Sequence, residues 1–234
     1  RGKDGAADTL QYGTFELSSD MSYDEIIAAL QVATDDRETV RVTFPEGKTV
    51  IQYAQIMEQA GLCSAQEFLD VANNGDFSQF GFWAKREEKP NQFMKAEGYL
   101  FPDTYEFYKN HNAKSALGKL IDTFAEHIDE DAYSESKAKA MGYSMKQVVI
   151  IASLIEKETD GSDQADIASV IYNRLQKPGE TAGLLQIDAA LLYGLPDHTG
   201  TITNADKAVD TPYNLYIHKG LPPTPIANPG LASI

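Results

Sequence analysis

The chain has 234 residues, 42% of them hydrophobic and 10% aromatic, with a formal net charge of −15. That length supports one large domain or two smaller ones with real cores, and the excess of acid argues against nucleic acid or an anionic membrane surface as a partner. No apolar run is long enough to span a bilayer, no secretory signal is present, and the single Cys63 has no mate for a disulfide or a metal site.

Residues 1–9 are polar and Gly-rich, and Arg1-Gly2-Lys3-Asp4-Gly5 reads as a cut end, as does Leu231-Ala232-Ser233-Ile234. The chain is therefore expected to be part of a longer protein. Thr14-Phe15-Glu16-Leu17 reads as a short strand, and Tyr23 to Val32 as a modest amphipathic helix on Ile26, Ile27, Leu30 and Val32. From Thr39 to Phe44, Val40, Val42 and Phe44 alternate with Arg41 and Thr43, the pattern of a half-exposed strand. Pro45-Glu46-Gly47 is a turn. Val50 to Ala60 is a helix ending at Gly61, and Ser64 caps another from Ala65 to about Ala72. The Asp20 to Val32 stretch resembles half of a second copy of this unit. Asn73 to Gln92 is a connecting region in which Trp83, with Phe80 and Phe82, reads as core.

Alternation over Glu97 to Phe101 predicts a strand with Glu97, Tyr99 and Phe101 on one face, ended by Pro102. A carboxylate beside aromatics suits a sugar site and a sheet edge equally. A helix follows over Lys114 to Ile128, then an acidic break at Asp129-Glu130-Asp131 and a second helix to about Met141. Past the central helix, Ser162 or Asp163 caps a helix running to about Gln176, with Asn173 and Arg174 as structural polar groups. Leu184 to Asp188 alternates, with Gln186 and Asp188 on one side. The Tyr213-Asn214 and Gly220 to Gly230 loops are rigid and Pro-rich, a kind of segment that frames sites.

The central helix is Ser144 to Thr159. Ser144 and Gln147 form a capping-box signature, and Val148, Val149, Ile151, Ala152, Leu154 and Ile155 cover most of the circumference, so burial on nearly all sides is expected. Glu156 and Glu158 close it on roughly opposite faces. Glu156 lies over Ala152 and Ser153, where small groups leave room for a ligand. Burial and the negative end of the helix dipole both favour its protonated form, the form a general acid needs. A helix-end Glu paired with Lys157 or a nearby Arg is the plainer alternative, and the helix alone leaves both open.

The chain has no HExxH, no Gly-rich phosphate loop and no GxSxG elbow, and His111, His127, His198 and His218 lack ligand spacing. Carboxylates, amides and tyrosines remain, the tool set of glycosidic bond cleavage.

Several long motifs resemble the MltG (YceG-like) family of endolytic murein transglycosylases. They are Glu97-Gly98-Tyr99-Leu100-Phe101-Pro102-Asp103-Thr104-Tyr105, Ala152-Ser153-Leu154-Ile155-Glu156-Lys157-Glu158-Thr159, Ala168 to Leu175, Leu185-Gln186-Ile187-Asp188, and Tyr213-Asn214 through Gly220-Leu221-Pro222-Pro223 to Asn228-Pro229-Gly230. The resemblance implies an α+β fold: a partial N-terminal segment over 1–38, a small LysM-like subdomain and linker over 39–92, and a C-terminally truncated catalytic domain over 93–234. It implies a lytic transglycosylase with Glu156 as catalytic acid, acting on nascent glycan strands to leave 1,6-anhydroMurNAc ends. Glu97, Tyr99, Gln186, Asp188, Tyr213 and Asn214 would bind substrate, with no metal and no cofactor. Implied partners are peptidoglycan strands, with peptidoglycan synthases and division or elongation proteins. An N-terminal anchor would hold the protein at the extracytoplasmic face of the bacterial membrane. Ala190 stands where the family usually has Thr, which removes a hydroxyl. Two other readings fit the same residues: a hydrolytic muramidase pairing Glu156 with Asp188 or Glu97, and a non-catalytic peptidoglycan-binding module.

Overall fold

The computed structural model describes residues 15, 17, 21–31, 38–85, 92–109, 112–128, 136–177, 179 and 181–234. Half of the expected Thr14–Leu17 strand (Thr14 and Glu16), the Asp129–Asp131 break and His111 lie outside them. The elements in order are α1 (Tyr23–Gln31), β1 (Thr39–Thr43), α2 (Val50–Gln59), α3 (Ala65–Asn74), α4 (Gly81–Lys85), β2 (Thr104–Tyr108), α5 (Ala113–His127), α6 (Lys137–Ala140), α7 (Met145–Glu158), α8 (Gln164–Gln176) and α9 (Asp188–Tyr193). The architecture is α+β, mostly helical, with one two-stranded sheet.

β1 pairs antiparallel with β2, Thr39 opposite Tyr108 and Thr43 opposite Thr104. The alternation read from the sequence turns Val42 and Phe44 inward, where they meet Tyr105 and Phe107. Phe44 stacks edge-on to Tyr53 of α2, ring centroids 4.7 Å apart. α2 starts on a full capping box of Thr49 and Gln52, and Ser64 caps α3 as predicted. Trp83 is core, packed against Phe77 at 5.2 Å.

The stretch from Glu97 to Phe101 is not a strand. Gly98 has φ +87°, in the left-handed region, and the amides of Gly98 and Leu100 both donate to the Asn228 side chain. A side chain 130 residues away thus takes the amides that a neighbouring strand would have received. Every residue from Ala96 to Pro102 is buried, so the alternation signalled no exposed face. Pairing starts only after Pro102, at Thr104.

α7 divides two hydrophobic cores. Its capping box forms as predicted, and all of Val149 to Ile155 is buried. Val149 closes the core under the sheet, α2, α3 and α5, whereas Ile150, Ile151, Leu154 and Ile155 belong to the core shared with α8, α9 and the 213–226 segment. Ser144→Ala removes one side of the capping box and should lower unfolding stability by about 1 kcal/mol in urea denaturation.

Candidate active site

Glu156 lies in the last turn of α7, half-buried. Its Oε2 accepts from the Gly230 amide at 3.1 Å and the Ser233 hydroxyl at 2.8 Å. No ion pair to Glu156 is formed among the described residues. Lys157 instead donates to the Gly47 carbonyl at 3.3 Å. The expected space beside Ala152 and Ser153 divides in two. Ser153 is fully buried and accepts the Ile226 amide at 3.1 Å, so that side is filled. Ala152 borders a cavity of about 430 Å³ between α7, α8 and residues 232–234, with Ser233 on its wall.

The turn of Pro45-Glu46-Gly47 packs on the other side of Glu156. Gly47 has φ +70°, and a Cβ there would stand 3.5 Å from Cγ of Glu156. At Gly230 a Cβ would meet the Glu46 carboxyl, the far end of an exposed side chain that would have to shift. Partial burial and the Glu156 charge both raise the pKa of Glu46.

Glu97 is 1% exposed and lies behind this turn. Its Oε1 accepts from the Val50 amide at 3.0 Å and from Nδ2 of Asn228 at 3.3 Å, and its Oε2 from the Tyr193 hydroxyl at 3.0 Å. Burial outweighs the Tyr193 and Val50 donors and pushes Glu97 to about 8. Burial and the Glu97 charge likewise raise Tyr193. Tyr99 is buried in the core under the sheet, stacked with Phe82. Tyr213 is buried too, its hydroxyl 2.8 Å from Thr224 Oγ1. Asn214 is fully buried, its amide donating to the Lys207 and Val209 carbonyls and its carbonyl accepting the Tyr216 amide.

Gln186 and Asp188 are exposed on one side, as the alternation predicts, but no strand carries them. Gln186 has φ +53°, which a β-type chain would not show, and α9 starts at Asp188. A non-Gly residue held left-handed is a common mark of a functional position. Asp188 accepts from the Tyr216 hydroxyl and lies 4.0 Å from Lys207 Nζ, which sits 4.3 Å over the Tyr216 ring. Glu158, raised by desolvation and by Asp188, joins this group with Arg174. The fold thus gathers the chosen residues into two places: Glu97 behind the Glu156 turn, and Asp188 near Glu158. Sequence reasoning missed Glu46, Tyr193, Ser233 and Asn228 as partners. The Pro45-Glu46-Gly47 and Asn228-Pro229-Gly230 tripeptides were the available signal, since short loops with glycine allow close backbone approach.

A family model described as the YceG-like family matches residues 2–234. The chain belongs to the YceG-like family. It is 30% identical over 240 residues to the endolytic murein transglycosylase of Bacillus subtilis, covering 97% of this chain and 63% of that protein. The endolytic murein transglycosylase of Streptococcus pneumoniae serotype 2 is 30% identical over 247 residues, covering 96% of this chain and 44% of that one. The chain therefore spans well under two thirds of the second relative and just under two thirds of the first. A crystal structure of a yceG-like protein from Listeria monocytogenes superposes with TM-score 0.73 at 29% identity, over 96% of this chain and 74% of that one.

The buried Glu97 of this YceG-like chain makes stability depend on pH. Between its ordinary value of 4.5 and about 8 the folded chain keeps a proton that the unfolded chain has lost. Stability from this group is therefore complete below pH 4.5 and falls as pH rises through 8. Urea denaturation from pH 5 to 8 should show a decline, on the order of a few kcal/mol at most, that is smaller in Glu97→Gln.

Proposed function

We propose that this chain is the catalytic portion of an endolytic lytic transglycosylase, which cuts the MurNAc-β-1,4-GlcNAc bond of nascent peptidoglycan strands. The observation that carries the reading is Glu156: a carboxyl on a rigid buried helix, half-exposed and held, among the described residues, by neutral donors from Gly230 and Ser233. The printed names of the Bacillus and Streptococcus relatives support it.

In this scheme protonated Glu156 gives its proton to the glycosidic oxygen, and the bond from that oxygen to C1 of MurNAc breaks. Positive charge develops at C1. The C6 hydroxyl of the same sugar attacks C1, and its proton returns to Glu156, leaving a 1,6-anhydro end. A nucleophile within the same sugar has a high effective concentration, so no carboxylate is needed to activate water. Gln186 and Asp188 are placed at the surface to meet sugar hydroxyls. Glu97, Tyr99, Tyr213 and Asn214 are buried and serve the site from behind, holding the segments that carry it.

The sequence-based division at 92/93 enters this reading with one extension. β1, α2 and α3 form the LysM-like unit, and β2, which follows the division, completes its sheet; the strand–helix–helix–strand order and antiparallel pairing support this. The described residues hold no helix long and apolar enough to cross a membrane. The proposed site of action is the outer face of the cytoplasmic membrane, with an anchor outside the described residues and with peptidoglycan synthases and division or elongation proteins as neighbours.

Glu156→Gln should lower formation of anhydro ends on purified glycan by about 10²–10⁴-fold, read by mass spectrometry of the digest. Undiminished cleavage by that variant would overturn the acid role, and reducing ends in place of anhydro ends would favour the hydrolytic reading. Gln186→Ala should weaken turnover several-fold while leaving unfolding stability within about 0.5 kcal/mol.

A further inference from the structure

α9 begins at Asp188 and ends at Tyr193. With six residues it is too short to hold itself in water, and Ile187 before it supplies no side-chain cap. Its place is therefore set by contacts with distant segments. Ala190 and Leu191 are fully buried and hold its middle. At the first end Asp188 accepts from the Tyr216 hydroxyl. At the last end the Tyr193 hydroxyl donates to the buried Glu97 carboxyl at 3.0 Å. The Tyr193 ring stacks with Phe93 at 5.8 Å and meets Tyr213 edge-on at 4.8 Å, so packing aims the hydroxyl.

Glu97 is in turn held by segments outside α9. Its Oε1 takes the amide of Val50, the first residue of α2, and Nδ2 of Asn228. The Tyr193 bond thus fastens α9 to the start of α2 and to the 228–230 loop. Helical rise puts Tyr193 about 7.5 Å along the axis from Asp188. Over so short a rod, a shift at one end is passed to the other. We propose that Tyr193 is a positioning residue for glycan binding: its hydroxyl, bonded to Glu97, holds α9 where Asp188 meets the sugar. The inference rests on the reading of Asp188 as a sugar contact.

The test compares the full chain with Tyr193→Phe, Asp188→Asn, their double variant and Glu97→Gln. It measures kcat and KM for anhydro-end formation on uncrosslinked glycan at about pH 6, with Tm alongside. Tyr193→Phe keeps the ring packing and removes only the hydroxyl. It should raise KM about fivefold and leave kcat within about twofold. In the Asp188→Asn background the same change should move KM by less than about twofold, because the contact it serves is already gone. Below the value of about 8 to which burial pushes it, Glu97 is neutral, so Glu97→Gln removes no charge. The new amide meets the Tyr193 hydroxyl, which can accept as well as donate, and KM should stay within about twofold of the parent. A parental KM in Tyr193→Phe, a rise undiminished by Asp188→Asn, or an equal rise in Glu97→Gln overturns the proposal. Hydrogen exchange in the parent needs no variant. The Leu191 and Gly194 amides, bonded to the Ile187 and Ala190 carbonyls, should be protected, and exchange as fast as in an exposed loop also overturns the proposal. If Asp188→Asn alone leaves KM parental, the Asp188 contact and this inference fail while the acid role of Glu156 stands. If Glu156→Gln still cleaves, the acid role fails and the KM comparison still decides Tyr193.

Discussion

Asn228 is fully buried and joins three stretches that are remote in sequence. Its side-chain carbonyl accepts the amides of Gly98 and Leu100, and its side-chain amide donates to the Lys48 carbonyl and to Glu97. Its backbone exchanges two bonds of 2.9 Å with the Gly47 amide and the Lys48 carbonyl. A buried amide must fill its donors and acceptors or bear the desolvation cost, about 1–3 kcal/mol for each group left unmet. All of the Asn228 groups are filled, and in filling them it fixes where the 45–48 turn, the 97–100 turn and the 228–230 loop stand relative to one another. The surroundings of Glu156 are made from two of these three segments.

The rigid and the adaptable parts of the site are separate. Glu156 rides on α7, whose preceding seven residues are buried and which stands between the two cores. Its neighbours come from loops: Gly47 from a turn, Gly230 and Ser233 from the end of the Pro-rich segment. A reactive group on a helix and recognition groups on loops is a common division, because packing holds the first within tenths of an ångström while the second adjust to a ligand.

Electrostatically the site is acidic within an acidic chain of net charge −15. Glu46, Glu97 and Glu156 all act on Tyr53, so their fields overlap in one region. Burial raises Glu97, and burial with the nearby Glu156 charge raises Glu46.

Local pattern was enough for the helices and their caps. The capping box at Ser144, the Ser64 cap, the β1 alternation and the burial of α7 all depend on neighbours a few residues apart, and all were legible. The motif around Glu156 and the family could also be read from the chain. The region from Glu97 to Phe101 could not, because its amides are taken by a residue 130 positions later. The left-handed Gln186 and the closeness of Glu46 to Glu156 escaped for the same reason. Sequence by itself determined which segments are helical, which faces are apolar and which carboxylates lie in the last turn of the buried helix, since these follow from spacing along one stretch of chain. Tertiary structure alone decided which carboxyls are buried, which are paired and which glycines allow contact, since hydrogen bonds and desolvation are settled by atoms that only folding brings together.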